Sequence, residues 1–188
     1  NNITMLINSQ ISKKELNSIK KKFNPDLVII PSRLEKKFID KNLYKKKIFF
    51  DFKILKNKES FNKNIDNKIV LLLSTSGTTG TYKWAKISKE NLILNVSKIS
   101  KKLNLHSSDS TITTLPFEYS YGLSVINSHI FSKAKVVFTK KSIVQKSFWE
   151  ILKNYKITNF NGVPFSYEIL EKINFGKIIK NTSLKFFT

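Results

Sequence analysis

Short apolar runs separated by polar, lysine-rich stretches set the rhythm of the chain. Ile3 to Ile7 is a brief apolar run suited to a strand. Ser12 to Glu15 has the S-x-x-E form of a capping box, with Ile11 and Leu16 placed as its hydrophobic staple. Leu16, Ile19 and Phe23 then share one helical face, and Asn24-Pro25 predicts the stop. Leu27 to Ile30 predicts a buried strand, and a basic stretch leads to another near Ile48 to Phe52. Lys56 to Lys68 is polar and Asn-rich and reads as a surface loop.

The second part of the chain alternates more regularly. Ile69 to Ser74 predicts the most apolar strand, and Trp84 to Ile87 a short one. Leu92, Val96, Ile99 and Leu103 recur at helical spacing within a helix expected from about Lys89 to Leu103. Further strands are expected at Thr111–Thr114, Lys135–Thr139, Thr158–Asn161 and Leu184–Phe187. Helices fill the intervals near Gly122–Ser132, Ser147–Tyr155 and Pro164–Ile173. The second of these puts Phe148, Ile151, Leu152 and Tyr155 on one face, and the third has Pro164 at its first position. Strands alternating with helices predict an α/β fold of mostly parallel sheets flanked by helices.

Composition narrows the picture. In 188 residues the apolar fraction is 40%, too high for a disordered chain. The longest aliphatic run, Ile69 to Leu73, is too short to span a membrane. With no cysteine, a disulfide scaffold, a thiolate metal site and a Cys nucleophile are all excluded. That fits a reducing, cytoplasmic setting. The two histidines do not suggest a metal site: His106 reads as a surface residue and His129 as a helix residue without a catalytic role. Asp109 and Glu118 are not placed together by anything in the sequence, and Trp84 and Trp149 read as packing residues.

Thirty-four basic against 13 acidic residues give a formal charge of +21, which raises the possibility of a basic nucleic-acid-binding domain. Two features argue against it. The basic residues are lysines apart from Arg33, although Arg is favoured for bidentate base and phosphate recognition. The excess also runs along the whole chain rather than on one tail. It can still attract an anionic ligand. The chain opens on Asn1 without a charged-then-apolar leader and closes in a strand candidate, and it reads as an internal piece of a longer protein.

The segment Leu71 to Lys83 carries the chemistry. Six of the eight residues from Ser74 to Thr81 are Ser or Thr, and the others are Gly77 and Gly80. Glycine permits close backbone approach and positive φ, so successive N–H groups can form an anion-binding concavity. Hydroxyls add donors and Lys83 adds a point charge, giving a polyphosphate cradle. The spacing fits neither a P-loop nor a dinucleotide fingerprint, because Gly77 and Gly80 are three apart and Trp84 follows Lys83.

This segment resembles the glycine- and hydroxyl-rich signature T-S-G-[ST]-T-G-x-P-K-G of the adenylate-forming superfamily: acyl- and aryl-CoA synthetases, nonribosomal adenylation domains and luciferases. Thr75 to Gly80 and Lys83 match it, while Tyr82 replaces the usual proline and Trp84 the usual glycine. Leu115-Pro-Phe-Glu-Tyr-Ser-Tyr-Gly-Leu123 is similar to the family's L-P-x-x-aromatic-x-x-G-L segment, and Gly162-Val-Pro-Phe-Ser-Tyr167 to its G-V-P strand-to-helix turn. The resemblance implies that residues 1–188 are a partial N-terminal, AMP-binding domain. Residues 1–68 would lead into a phosphate-loop and acyl-pocket region over 69–188, with the family's later motifs and C-terminal domain absent.

It further implies ATP-dependent activation of a small-molecule carboxylate to an acyl-adenylate, followed by transfer to the thiol of CoA or of an acyl carrier protein's phosphopantetheine. ATP and Mg2+ are the implied cofactors. Thr75, Ser76, Gly77, Thr78, Thr79, Gly80 and Lys83 would bind the phosphates, and Tyr119, Tyr121, Gly122, Gly162, Val163 and Pro164 would border the acyl pocket. No residue of this chain is assigned to catalysis, and Lys83 is not the family's adenylation lysine. The piece by itself is expected to be inactive. A non-catalytic remnant of the same fold is the alternative.

Overall fold

The computed structural model describes residues 2–34, 36, 43–58, 66–75, 83–180 and 182–188. They fall into two compact units, Ile7–Asp66 and a second that joins Asn1–Leu6 to Asn67–Thr188.

The smaller unit opens with helix α1 (Lys13–Phe23). Its capping box forms as expected: Ser12 Oγ accepts from the Glu15 N–H at 3.2 Å, and Glu15 Oε2 accepts from the Ser12 N–H at 3.0 Å. Leu16 and Ile19 face inward, and Asn24 ends the helix in the left-handed region at φ 39°. Strands β2 (Leu27–Pro31), β3 (Leu43–Phe49) and β4 (Phe52–Asn57) form an antiparallel sheet in the order β2-β4-β3. The strand expected near Ile48 to Phe52 is instead the turn of the β3–β4 hairpin, with Phe50 at φ 49°. No Gly, Asn or Pro marks that turn, and Asp51 alone is a weak signal for it. The strand expected to be buried is an edge strand. Ile30 is enclosed, whereas Leu27 and Ile29 point to solvent. Buried Asn57 ties the sheet to the end of α1, since its Nδ2 donates to Asn24 Oδ1 and to the Pro25 carbonyl. Of the predicted loop at Lys56 to Lys68, residues 59–65 lie outside the described residues.

The larger unit holds two sheets. In the first, β1 (Thr4–Leu6) runs parallel to β5 (Ile69–Thr75), which pairs antiparallel with β6 (Lys83–Ser88). Helix α2 (Lys89–Lys102) starts at Ser88, whose Oγ accepts from the Asn91 N–H at 3.1 Å, and lies against β5 and β6. Its other side meets α3 (Ser120–Phe131), which covers the second sheet. That sheet is parallel throughout, in the order β10-β9-β7-β8, from β7 (Ser110–Thr113), β8 (Lys135–Phe138), β9 (Asn159–Phe160) and β10 (Phe186–Phe187). This is the parallel sheet that the strand–helix alternation predicts.

Side chains alternate across the parallel sheet. Ile112 and Phe160 point to one face and build the main core with Phe148, Trp149 and Leu152 of α4 (Lys146–Asn154) and Leu170 of α5 (Pro164–Lys172). Trp149 also donates from its indole nitrogen to the Ile143 carbonyl at 2.8 Å. Tyr155 does not join this face, because the chain turns away at Lys156, φ 50°. Trp149 takes its place. A short helix α6 (Phe175–Ile179), which has no sequence signal, follows left-handed Asn174.

Candidate functional site

The hydroxyl-rich loop connects two paired strands. Leu71, Leu72 and Leu73 bury the middle of β5, which emerges at exposed Thr75. Thr75 pairs with Lys83 at the start of β6, and Thr75 Oγ1 donates to the Lys83 carbonyl at 3.3 Å. The ladder thus pins both ends of the 76–82 connection and sets exposed Lys83 at its mouth. Of the residues read as phosphate ligands, Thr75 and Lys83 are brought together. Ser76, Gly77, Thr78, Thr79 and Gly80 lie outside the described residues.

The second group of predicted residues gathers at the carboxyl end of the parallel sheet. From β7 the chain passes through α3 to β8 on one side, then through α4 back past β7 to β9 on the other. The order of strands therefore reverses between β7 and β9. In open parallel sheets a crevice for ligands forms outside the carboxyl ends of the strands at such a reversal. The connection after β7 carries Phe117 and Tyr119 and leads to Tyr121 in the first turn of α3, and the turn after β9 carries Gly162 and Val163 and leads to Pro164 at the start of α5.

Packing explains the glycines here. A Cβ on Gly122 would run into the Pro116 carbonyl oxygen, with the carbonyl carbon 3.0 Å and Leu115 Cβ 3.2 Å away. The Tyr119 N–H donates to that same Pro116 oxygen at 3.3 Å, so Gly122 lets the Leu115–Tyr119 bend close onto the first turn of α3. A Cβ on Gly162 would meet Phe160 and Ser166 at 3.0 Å and Tyr167 at 3.1 Å. Pro164 stands at the first position of α5, as expected, and the Val163 N–H donates to Ser166 Oγ at 3.3 Å. Thr188 closes the edge. Its backbone oxygen accepts from the Gly162 N–H at 2.9 Å, the Tyr121 hydroxyl at 2.8 Å and the Tyr167 hydroxyl at 2.6 Å. Burial and the neighbouring Tyr121 push the Tyr167 phenol above its ordinary pKa. The Tyr119 ring stays exposed at the N-terminus of α3.

A buried polar network, absent from the sequence reading, supports this edge. Thr111 and Asn159 are fully buried on the α3 side of the sheet, as is His129 on α3, and Asn161 is nearly so. His129 Nδ1 lies 2.6 Å from the Val125 carbonyl and Nε2 3.0 Å from the Asn159 side-chain amide. Asn161 bridges onward to Asn159 at 3.1 Å, to Thr111 Oγ1 at 2.8 Å and to the Thr188 hydroxyl. The Val125 carbonyl and Asn159 Oδ1 are both acceptors, so the imidazole is held between an acceptor at each ring nitrogen. The network runs from α3 through β9 and β7 to the residue preceding Gly162. Its one sequence signal is the pair of alternations Thr111-Ile-Thr113 and Asn159-Phe-Asn161, whose polar members would ordinarily be assigned to solvent.

Asp109 and Glu118 stand at opposite ends of β7 and form no acid/base pair. Asp109 is buried, which raises its pKa. Hydrogen bonds from Lys185 Nζ (2.9 Å), the His106 N–H (2.9 Å) and Thr158 outweigh that and hold it below the usual carboxylate value. His106 is exposed, as the sequence suggests.

The sequence profile of the family described as AMP-binding enzyme matches residues 1–187. Oxalate--CoA ligase of Arabidopsis thaliana is 30% identical over 102 residues, 53% of this chain and 20% of its own length. Sulfoacetate--CoA ligase of Cupriavidus necator is 31% identical over 94 residues, 50% of this chain and 18% of its own. The solved structure of VinN in complex with L-aspartate superposes on 98% of this chain and 49% of its own, with a TM-score of 0.69 at 15% identity. That likeness concerns the fold alone. The matched regions amount to about one fifth of each curated relative.

Proposed function

The chain belongs to the AMP-binding enzyme family, and from that premise we propose that it is part of an ATP-dependent acid–thiol ligase. In the proposed reaction a carboxylate oxygen attacks the α-phosphorus of ATP, forming an acyl-adenylate and releasing pyrophosphate. A thiol then attacks the acyl carbon, forms the thioester and releases AMP. CoA is the acceptor that the names of the relatives favour, and a carrier protein's pantetheine offers the same chemistry. ATP and free thiols are both cytoplasmic, and we assign the reaction to that compartment. Among the described residues no helix is long and apolar enough to cross a membrane.

The observation that carries this reading is the hairpin. A connection of glycines and hydroxyls leaves a buried strand, and Lys83 waits where it returns. Backbone N–H groups and the hydroxyls of Thr75, Ser76, Thr78 and Thr79 would hold the β- and γ-phosphates, and Lys83 would balance their charge. Preorganised donors of this kind stabilise the charge that shifts onto the leaving pyrophosphate. Mg2+ carried with the phosphates supplies Lewis-acid polarisation. Among the described residues no group of three His, Cys, Asp or Glu could hold a metal independently. Tyr119, Tyr121, Gly122, Gly162, Val163 and Pro164 are assigned to the acyl site, supported by their place at the β7/β9 reversal.

The activity belongs to the whole protein, and residues 1–188 alone are expected not to turn over. ATP–pyrophosphate exchange tests both statements. In the full-length protein Lys83→Ala should raise the KM for MgATP about 10-fold, one charge-assisted contact's worth. The KM for the acid should move less than about 3-fold. An unchanged ATP dependence contradicts the role of Lys83, and robust exchange by the 188-residue chain contradicts its expected inactivity.

A further inference from the structure

His129 sits in the last turn of α3, fully buried, with an acceptor at each ring nitrogen. The Val125 carbonyl belongs to the helix backbone and cannot turn round, so Nδ1 carries a proton in every state. Nε2 faces Asn159 Oδ1 at 3.0 Å and donates as well, which makes the ring a cation in the arrangement observed. Charge-assisted bonds are short, as the 2.6 Å contact to Val125 is, and a helix C-terminus favours a positive charge. Among the described residues neither hydrogen-bond partner of the ring is itself charged. Of the elements packed on α3, α2 carries Lys89, Glu90, Lys98, Lys101 and Lys102, and β8 carries Lys135, all exposed. Asp109, just before β7, is engaged by Lys185, and β9 carries no titratable group. Tyr121 is the other titratable side chain of α3 itself.

The other members of the network can exchange donor and acceptor roles in place. As the chain stands, Asn161 Nδ2 donates to Asn159 Oδ1 at 3.1 Å and to Thr111 Oγ1 at 2.8 Å, and the Thr188 hydroxyl donates to Asn161 Oδ1. With both amides turned over, Asn159 Nδ2 donates to His129 Nε2 and to Asn161 Oδ1. Thr111 Oγ1 then donates to Asn161 Oδ1, and Asn161 Nδ2 donates to the Thr188 hydroxyl. Hydroxyls serve either role, so each of these contacts survives with its sense reversed. Only the 3.5 Å contact from Asn159 Nδ2 to Thr158 Oγ1 is lost, because that hydroxyl donates to the Ser110 carbonyl at 3.1 Å. The first direction needs a proton on Nε2, and the second needs it gone. We propose that His129 is a proton-operated switch, whose charge sets the direction of a hydrogen-bond chain running through Asn159 and Asn161 to Thr188. In the neutral state the Thr188 hydroxyl accepts from Asn161, and its own proton turns to the Tyr121 oxygen 3.4 Å away. One proton at the end of α3 is thereby coupled to the hydrogen bonding of a side chain at the crevice edge. The switch does not depend on which reaction the protein performs.

NMR of the full-length protein, labelled with nitrogen-15 in its histidine rings and carbon-13 at the tyrosine Cζ, tests it across about pH 5 to 9. His129→Gln and Tyr121→Phe assign the two signals. The expected result is a ring protonated on both nitrogens at the acid end. As pH rises it loses the Nε2 proton alone, and the Tyr121 signal shifts at the same pH. Asn159→Asp supplies a carboxylate that only accepts, and should hold the Nε2 proton to a pH at least about one unit higher, an about 10-fold change in proton affinity. A neutral ring protonated on Nε2, or a ring with one protonation state across the range, overturns the switch. A His129 that titrates while Tyr121 stays still overturns the link to the crevice edge. A titration unmoved in an Asn159→Asp variant of unchanged thermal midpoint overturns the relay through Asn159. Should that variant not fold, the tautomer and the Tyr121 response of the parent still decide.

Discussion

Replacing Gly122 by Ala sets two effects against each other. Gly122 lies in the first turn of α3 with helical backbone, so Ala gains about 1 kcal/mol of helix propensity there. Against that, the new methyl overlaps the Pro116 carbonyl oxygen and sits 3.2 Å from Leu115 Cβ. The first obstacle is backbone, already engaged by the Tyr119 N–H, and cannot swing aside like a side-chain end. Overpacking costs about 1–3 kcal/mol in ordinary cores, and a backbone obstacle belongs at the upper end. The net expectation is a loss of about 2 kcal/mol, or about 4–8 °C in thermal midpoint for a protein of this size. Gly176→Ala is the matched control, because nothing lies within 4 Å of a Cβ built there. It should be neutral or raise the midpoint slightly. Circular dichroism melts of the two variants beside the parent decide the matter. A Gly122→Ala midpoint at or above that of the parent would refute the close approach of the Leu115–Tyr119 bend to α3. In the full-length protein the same variant should raise the acid KM more than the ATP KM, since the displaced bend carries Tyr119.

Asp109→Asn should cost about 1–3 kcal/mol at neutral pH, less than a fully buried pair because Lys185 is largely exposed. The folded pKa of Asp109 is depressed, so its contribution is present above the unfolded carboxylate value and is lost as pH falls through the folded one. The gap between parent and variant should therefore hold from pH 7 to about 5 and close below about pH 4 in a series of melts. A gap constant down to pH 2 contradicts it. Asn161→Leu strips partners from Thr111, Asn159 and Thr188 at once and should destabilise by about 2–3 kcal/mol by denaturant titration. In the full-length protein it should also raise the acid KM with the MgATP KM unchanged, because Asn161 precedes the Gly162 turn. A change in stability with neither KM moved would make the network structural only.

The sequence is most legible where a signal is local. The capping box at Ser12, the stop at Asn24-Pro25 and the helical face of Leu92, Val96 and Ile99 depend on residues a few positions apart, and all appear in the structure. The buried strand before the hydroxyl-rich loop is equally clear, because Leu71 to Leu73 leave it little choice but burial. What escapes is long-range. The β3–β4 hairpin turns at Phe50-Asp51 with Asp51 as its one turn-favouring residue, too weak a signal to part the two strands. The polar face of the parallel sheet is hidden for a different reason. Period-two alternation tells which residues share a face, but not whether that face meets water or a helix. Asn159 meets His129 of α3, 30 residues away, and Asn161 links it to Thr111. At the site, the acyl-edge residues can be placed by their motifs. Their joint dependence on Thr188, 67 positions beyond Tyr121, cannot.

The most direct test of the central claim is a crystal structure of the full-length protein with a non-hydrolysable ATP analogue. The account predicts the β- and γ-phosphates within hydrogen-bond distance of the amides and hydroxyls of residues 75–80, with Lys83 Nζ beside them. A well-ordered nucleotide bound elsewhere, with that hairpin loop touching no phosphate, would contradict it.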